Sequence, residues 1–275
     1  MQHSDPPPQT IESESRGGGF SFVIPTEFVE LPSQGKYYPE NHPLFNQETV
    51  EIKQMTAKEE DMLTSRALLK KGIALDRVIE SLIVNKAIDP QSLLVGDRNA
   101  IMIAARISGY GSEYKTSLSC PSCSAKQEYC FNLHDYEVNT LEEMPDVFGL
   151  QDLGGGLFIT TLPRTNCEVT FRILTGYHEK QVYQQISNAR KKNKQENSVT
   201  RQLRMITVAV NGDESPEAIN YFVNNVPSID AQHLRTALEA VTPNVDLTQL
   251  FVCKECDFEI EMEVPLTSDF FWPKR

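Results

Sequence analysis

Two Cys-x-x-Cys pairs, Cys120-Pro121-Ser122-Cys123 and Cys253-Lys254-Glu255-Cys256, constrain this chain more than any other feature. A two-residue gap lets both sulfurs of a tight turn point at one metal ion. Each pair also lies between segments that read as strands. Glu113–Ser119 precedes the first pair and residues 127–133 follow it, while 247–252 precede the second and 257–264 follow it with strict apolar/polar alternation. Two such strand-turn-strand knuckles, facing each other, make a zinc ribbon. The spacing therefore predicts one tetrahedral zinc held by Cys120, Cys123, Cys253 and Cys256. Four thiolates fill the coordination sphere and leave no position for a substrate water, so such a site is structural and not catalytic.

The gap between the pairs is unusual. Between Cys123 and Cys253 lie 129 residues, against roughly 15 to 20 in an ordinary ribbon. The knuckles must meet across an inserted domain whose ends the metal would tie together. Two disulfides or free thiols are the alternatives. Cys130 and His134, four residues apart, offer a mixed site in place of one knuckle. The simpler reading of Cys130 and Cys167 is as small buried hydrophobes. A redox pair would sit at a helix N-terminus, where the thiolate is stabilised, and both pairs here lie on strand turns.

At 275 residues the chain can bury one large or two modest cores. No apolar run approaches the ~20 residues needed to cross a bilayer. The start, Met1-Gln2-His3-Ser4-Asp5-Pro6, lacks the basic and apolar regions of a secretory signal. Six cysteines, four of them in a metal-like arrangement, then point to a reducing compartment. With 38 acidic against 26 basic residues the net charge is −12, which opposes any role that needs a phosphate-binding face. The one basic cluster, Arg190-Lys191-Lys192-Asn193-Lys194, reads as a solvated helix end.

In chain order, residues 1–19 are rich in Pro, Ser and Gly, the composition of a disordered tail that orders only against a partner. Pro25, Pro32, Pro39 and Pro43 break residues 20–48 into an extended arm that lays Phe28, Leu31, Tyr37 and Tyr38 on the core or on another subunit. Residues 49–112 read as a helical region after a short strand. Its first helix opens with the capping box Thr56-Ala57-Lys58-Glu59 and closes at Gly72, the second begins near Leu75, and the third begins at or slightly before Asp97. Residues 113–133 and 247–264 form the two ribbon halves. The insertion, 134–246, reads as mostly helical, with paired strands over 157–162 and 168–174. Its helices run over 176–192 and 198–210, then from Ser215-Pro216 and from Ser228 or Asp230. The aromatic segment 265–275 carries Phe270, Phe271 and Trp272, suited to packing on the chain's own core or to insertion into a partner. The fold class expected is α+β: zinc-ribbon-like strand knuckles, a largely helical inserted subdomain and an N-terminal helical region.

Catalytic patterns are missing from the sequence. Gly154-Gly155-Gly156 has no following lysine and helix to make a phosphate loop, and there is no Gly-x-Ser-x-Gly elbow. Glu59, Glu60 and Asp61 read as solvated charges in the first turn of a helix, and Glu142-Glu143 as solvated charges. A non-enzymatic chain is expected.

The segments Pro25-Thr26-Glu27-Phe28, Leu31-Pro32-Ser33-Gln34-Gly35-Lys36-Tyr37-Tyr38-Pro39, Met55-Thr56-Ala57-Lys58-Glu59-Glu60-Asp61 and Phe270-Phe271-Trp272-Pro273 together resemble the baseplate hub proteins of T-even-type bacteriophages. The resemblance runs from about Phe20 onward. It implies a structural or assembly component of the baseplate hub in a contractile-tailed phage, made in the host cytoplasm and carried into the virion tail. The partners it implies are other baseplate or tail proteins, with a homo-oligomer as a further arrangement. The cysteine ligands rest on their spacing and not on the resemblance. The competing function is a zinc-ribbon binding module for nucleic acid or a regulatory protein, against whose nucleic-acid form the acidic charge counts.

Overall fold

The computed structural model describes residues 24–141, 148–191, 198–264 and Phe270. Thr26–Glu30 (β1) pairs antiparallel with Thr49–Lys53 (β2), Val29 opposite Val50, and turns Val29, Val50 and Ile52 inward. The loop between them buries Leu31, Tyr37, Tyr38 and Leu44, so the chain's own core takes these side chains, while Phe28 stays exposed. Gly35 makes that loop possible. Its φ is +70°, and a Cβ there would run into the backbone of Leu44 and Gln47.

The capping box at Thr56 forms as expected and starts α1, Ala57–Thr64. The expected single helix as far as Gly72 is instead two. Ser65 takes extended backbone angles, and its hydroxyl accepts from the N–H of Leu68 to start α2, Arg66–Lys71, which ends at left-handed Gly72. Ala74–Leu82 (α3) follows, then Val95–Tyr110 (α4). The first hairpin is Glu113–Ser119 (β3) with Lys126–Asn132 (β4). Glu137–Asn139 (β5) comes next. Gln151–Gly154 (β6), Leu157–Thr161 (β7), Glu168–Arg172 (β8) and, after α5 (Gly176–Lys191) and α6 (Ser198–Ile206), Thr207–Val210 (β9) build one four-stranded antiparallel sheet in chain order. Pro216–Asn225 (α7), Ser228–Val241 (α8), Asn244–Asp246 (β10) and the second hairpin, Thr248–Val252 (β11) with Glu259–Glu263 (β12), complete the chain. The protein is a mixed α/β fold, with eight helices and several small antiparallel sheets among the described residues. No helix among them is long and apolar enough to cross a membrane.

The helix expected over 198–210 ends at Ile206. Its last four residues, Thr-Val-Ala-Val, carry three β-branched side chains that favour the pleated edge of β8 over a helix. Asp230 does not start α8, which begins at Ser228. Its buried carboxylate accepts from the N–H groups of Arg164 (2.8 Å) and Thr165 (3.0 Å) and from the Thr165 hydroxyl, fixing the β7–β8 turn against the helix.

Helix α4 carries buried charge that a hydrophobic pattern does not show. Asp97 is fully buried, and its carboxylate accepts from the Ser33 N–H (3.0 Å), the Ser33 hydroxyl (2.6 Å) and the Tyr38 hydroxyl (2.7 Å). Burial raises its pKa, while those donors pull the other way. Arg98 ties three helices together: it donates to the Pro90 carbonyl and pairs with Asp76 of α3 (2.9 Å) and Glu179 of α5 (3.4 Å). Arg106, buried as well, donates to the carbonyls of Phe270 (2.6 Å), Gly111 (2.7 Å) and Glu113 (3.1 Å). Phe270 is buried edge-on to Tyr114, so this member of the aromatic segment packs on the chain's own core. Gly96 lets the start of α4 close on the backbone of Pro243 and Asn244, immediately before β10, where any Cβ would collide.

One expectation is overturned outright. Glu59 is not a solvated charge, because it has no exposed surface. Its carboxylate accepts from the Thr56 N–H (2.9 Å) and hydroxyl (2.6 Å) and from the Ser81 hydroxyl (2.5 Å), and Lys53 lies at 3.4 Å. Burial alone would push its pKa up, but the bonds from Ser81 and Thr56, with the charge of Lys53, outweigh it and bring the value to about 2. The tail 1–19, Glu142-Glu143, Lys192 to Lys194, and Phe271 with Trp272 lie outside the described residues.

Two measurements check this arrangement. Asp97→Ala strands the buried donors of Ser33 and Tyr38, and is expected to lower the unfolding free energy in urea by about 3 kcal/mol. A change within about 0.5 kcal/mol, the size of an ordinary surface substitution, would contradict the role given to it. For Glu59 the folded pKa lies below the unfolded value of 4.5, so its contribution is complete above that pH and is lost as pH falls towards about 2. Glu59→Gln is expected to lower stability by about 3 kcal/mol at neutral pH and by progressively less on acidification. A pH-independent difference would show that the charge is not what matters.

Candidate metal centre

The two cysteine pairs sit in the same backbone device, used twice. In the β3–β4 turn the Cys120 N–H donates to the Ala125 carbonyl (2.9 Å) and the Ser124 N–H returns to the Cys120 carbonyl (2.9 Å), with Ser124 left-handed at φ 61°. In the β11–β12 turn the Cys253 N–H donates to the Phe258 carbonyl (2.9 Å), and the Asp257 N–H donates to the Cys253 carbonyl (3.0 Å), with Asp257 at φ 52°. A side chain other than glycine in that region is uncommon and carries a steric cost. Two five-residue segments of different sequence, 120–124 and 253–257, accept it at the same place.

The turns meet. The four Sγ atoms lie within 4.8 Å of one another, with Cys120 to Cys256 at 3.8 Å and Cys123 to Cys253 at 3.7 Å. All four are free thiols, and these separations are far beyond the ~2.05 Å of a disulfide. A tetrahedron of sulfurs about 2.3 Å from a central zinc has edges of about 3.8 Å. The cross-hairpin distances match that edge. Cys120 and Cys253 are buried, with Phe251, under Leu118, Tyr129, Phe258 and Met262, whereas Cys123 and Cys256 are exposed.

The electrostatics of the tetrad are uneven. The N–H groups of Cys123 and Ser122, with the neighbouring thiols, bring Cys120 down to about 7. Cys256 receives the Phe258 N–H, which favours its thiolate, yet desolvation and the other three thiols push it up to about 12. Cys123 is raised as well, despite the Ala125 N–H. One sulfur ionises readily and then opposes its neighbours. A divalent cation at the centre would reverse that balance, since it stabilises all four thiolates at once.

The hairpins also hold each other without the sulfurs. Gln127 donates to the Val252 carbonyl (3.4 Å) and accepts from the Lys254 N–H (2.9 Å). Gln249 answers from the other side, donating to the Asn132 carbonyl (2.7 Å) and accepting from the Asn132 N–H (3.2 Å). The Tyr129 hydroxyl donates to the Leu250 carbonyl (2.9 Å), and its ring stacks obliquely on Phe251. Below them β5 and β10 pair antiparallel, Val138 opposite Val245, where the chain leaves the first hairpin and returns to the second. Sequence reading missed both glutamines, because a polar residue on a strand gives no sign of the distant backbone it will bridge.

Cys130 and His134 take no part. Cys130 is exposed on the outer face of β4, not buried as expected, since its place in the alternation puts it opposite Tyr129 and Phe131. Among the described residues the four cysteines are the one group of three or more His, Cys, Asp and Glu side chains close enough to share an ion.

A family model described as T4 bacteriophage base plate protein matches residues 24–272, a span that takes in both hairpins and the segments at Pro25, Leu31 and Met55. No curated protein and no solved structure matches the chain. The chain belongs to the T4 bacteriophage base plate protein family.

Proposed function

We propose that the protein is a non-enzymatic structural component of the baseplate hub of a contractile-tailed phage. In this reading Cys120, Cys123, Cys253 and Cys256 hold a structural zinc in a ribbon formed by the two hairpins. The family match carries the baseplate role, and the separations of 3.7 and 3.8 Å across the hairpins support the metal. Zinc suits four thiolates in a tetrahedron, and a site so filled has no open position for substrate. Bound there, the ion would supply the positive charge the thiols lack. Cys120 and Cys253 would anchor it from inside, and Cys123 and Cys256 would close it from the solvent side.

The ribbon halves are then 113–133 and 247–264, flanking the insertion 134–246. The tail 1–19, arm 20–48, helical region 49–112 and C-terminal segment 265–275 make up the rest. Its neighbours are other baseplate or tail proteins, met during assembly in the host cytoplasm and kept in the virion tail. The net charge of −12 stands against the nucleic-acid alternative.

Purified protein is expected to contain about one zinc per chain by elemental analysis. Cys253→Ser is expected to lose most of that zinc and to unfold roughly 5 to 10 °C lower, because metal binding and folding are linked. Wild-type protein free of metal, or a variant with the same metal content and unfolding temperature, would contradict the zinc. For the baseplate role, the tagged chain is expected to co-purify with other tail proteins from infected host cells. Salt-sensitive retention on DNA in place of that co-purification would favour the binding-module reading.

A further inference from the structure

A solvent-open cavity of about 440 Å³ lies where β5, β10 and the second hairpin meet the start of α4 and the end of α8. Its apolar side is made by Val95, Leu174, Leu238 and Val245, the last two buried. Glu239, Asp246 and Glu263 line it with exposed side chains, and among the described residues no lysine, arginine or histidine does so. Hydrogen bonds from the hydroxyl and N–H of Thr248 hold Asp246 below the usual carboxylate range. The three carboxylates do not come close enough together to share a single metal ion.

The acidic lining continues beyond the cavity. Along β12, Glu263, Glu261 and Glu259 are exposed and stand opposite Thr248, Leu250 and Val252 of β11. Leu250 is 52% exposed among them. Alternate residues of a strand recur about every 6.8 Å, so this face repeats negative charge at the spacing of alternate side chains in an extended peptide.

We propose that the cavity and the adjoining face of the second hairpin bind an extended basic segment of another protein, with lysine or arginine at alternate positions and an apolar residue between them. Lysine and arginine lay their aliphatic stems on apolar surface while their charged ends reach carboxylates, which is the combination this groove offers. Carboxylates around a partly desolvated pocket that has no cation among its described lining residues repel one another, and a cationic partner relieves that repulsion. A nucleic acid meets the same face as like charge. The inference stands apart from the zinc, since none of the four cysteines lines the groove.

The test uses the full chain and a fluorescein-labelled peptide, Lys-Ser-Lys-Leu-Lys-Ser-Lys, read by fluorescence anisotropy at low salt. The wild type is expected to bind it and to ignore the matching glutamate peptide. Glu239→Gln with Glu263→Gln is expected to weaken binding roughly tenfold. A control, Glu214→Gln with Glu217→Gln at the exposed start of α7, makes the same charge change elsewhere and is expected to stay within about twofold. Equal loss in both variants would show attraction to the net charge alone and would overturn the proposal, as would no binding by the wild type. Self-association abolished by the groove substitutions would overturn it too, by giving the groove to a second copy. The assay needs neither tail proteins nor metal, so its failure leaves the baseplate reading standing.

Discussion

Four sulfurs from turns 130 positions apart in the chain occupy one small volume, closed on one side by Phe251 and open to solvent on the other. That constraint organises the middle of the protein. Everything between Cys123 and Cys253 has to leave one hairpin and come back to the other, so the ends of a long segment are fixed to within a few ångströms. Closing a loop of that length costs conformational entropy that grows only slowly with its size. The same closure, once made, holds for every contact inside it.

The sulfurs do not act alone. The antiparallel pair β5–β10 zips the stem of the segment, and Gln127 and Gln249 each bridge to the opposite hairpin's backbone. Helix α4 then joins this assembly to the rest: Gly96 seats it against Pro243, Asp97 holds the loop after β1, and Arg106 reaches the carbonyl of Phe270 near the C-terminus. A large apolar core runs through these elements, from Val29 to Phe270, and a smaller one of Cys120, Phe251 and Cys253 lies at the tetrad. A metal at the tetrad would therefore reinforce a closure that hydrogen bonding has already oriented, which suits a rigid part in a larger assembly better than a moving one.

Much of this was legible where chemistry is local. The cysteine spacing pointed to the convergence of the sulfurs, Thr56 and Glu59 marked a capping box, and the strands 157–162 and 168–174 were visible from their apolar pattern. Sequence reading failed where a residue's partner is remote. Glu59 has the look of a surface acid in a first turn, and only Ser81, 22 positions on, and Lys53 make it a buried one. Asp97 passes for a helix cap until Ser33 and Tyr38 are brought to it. The change from α6 to β9 was hidden because Leu203, Ile206 and Val210 fit a helical period, and the pairing with β8 decides otherwise.

The most direct test of the account is X-ray absorption at the zinc edge of the purified protein. Four sulfur neighbours at about 2.3 Å, and no nitrogen or oxygen in the first shell, are what a closed tetrad requires. A first shell containing nitrogen or oxygen ligands, or a preparation with no zinc edge at all, would contradict it.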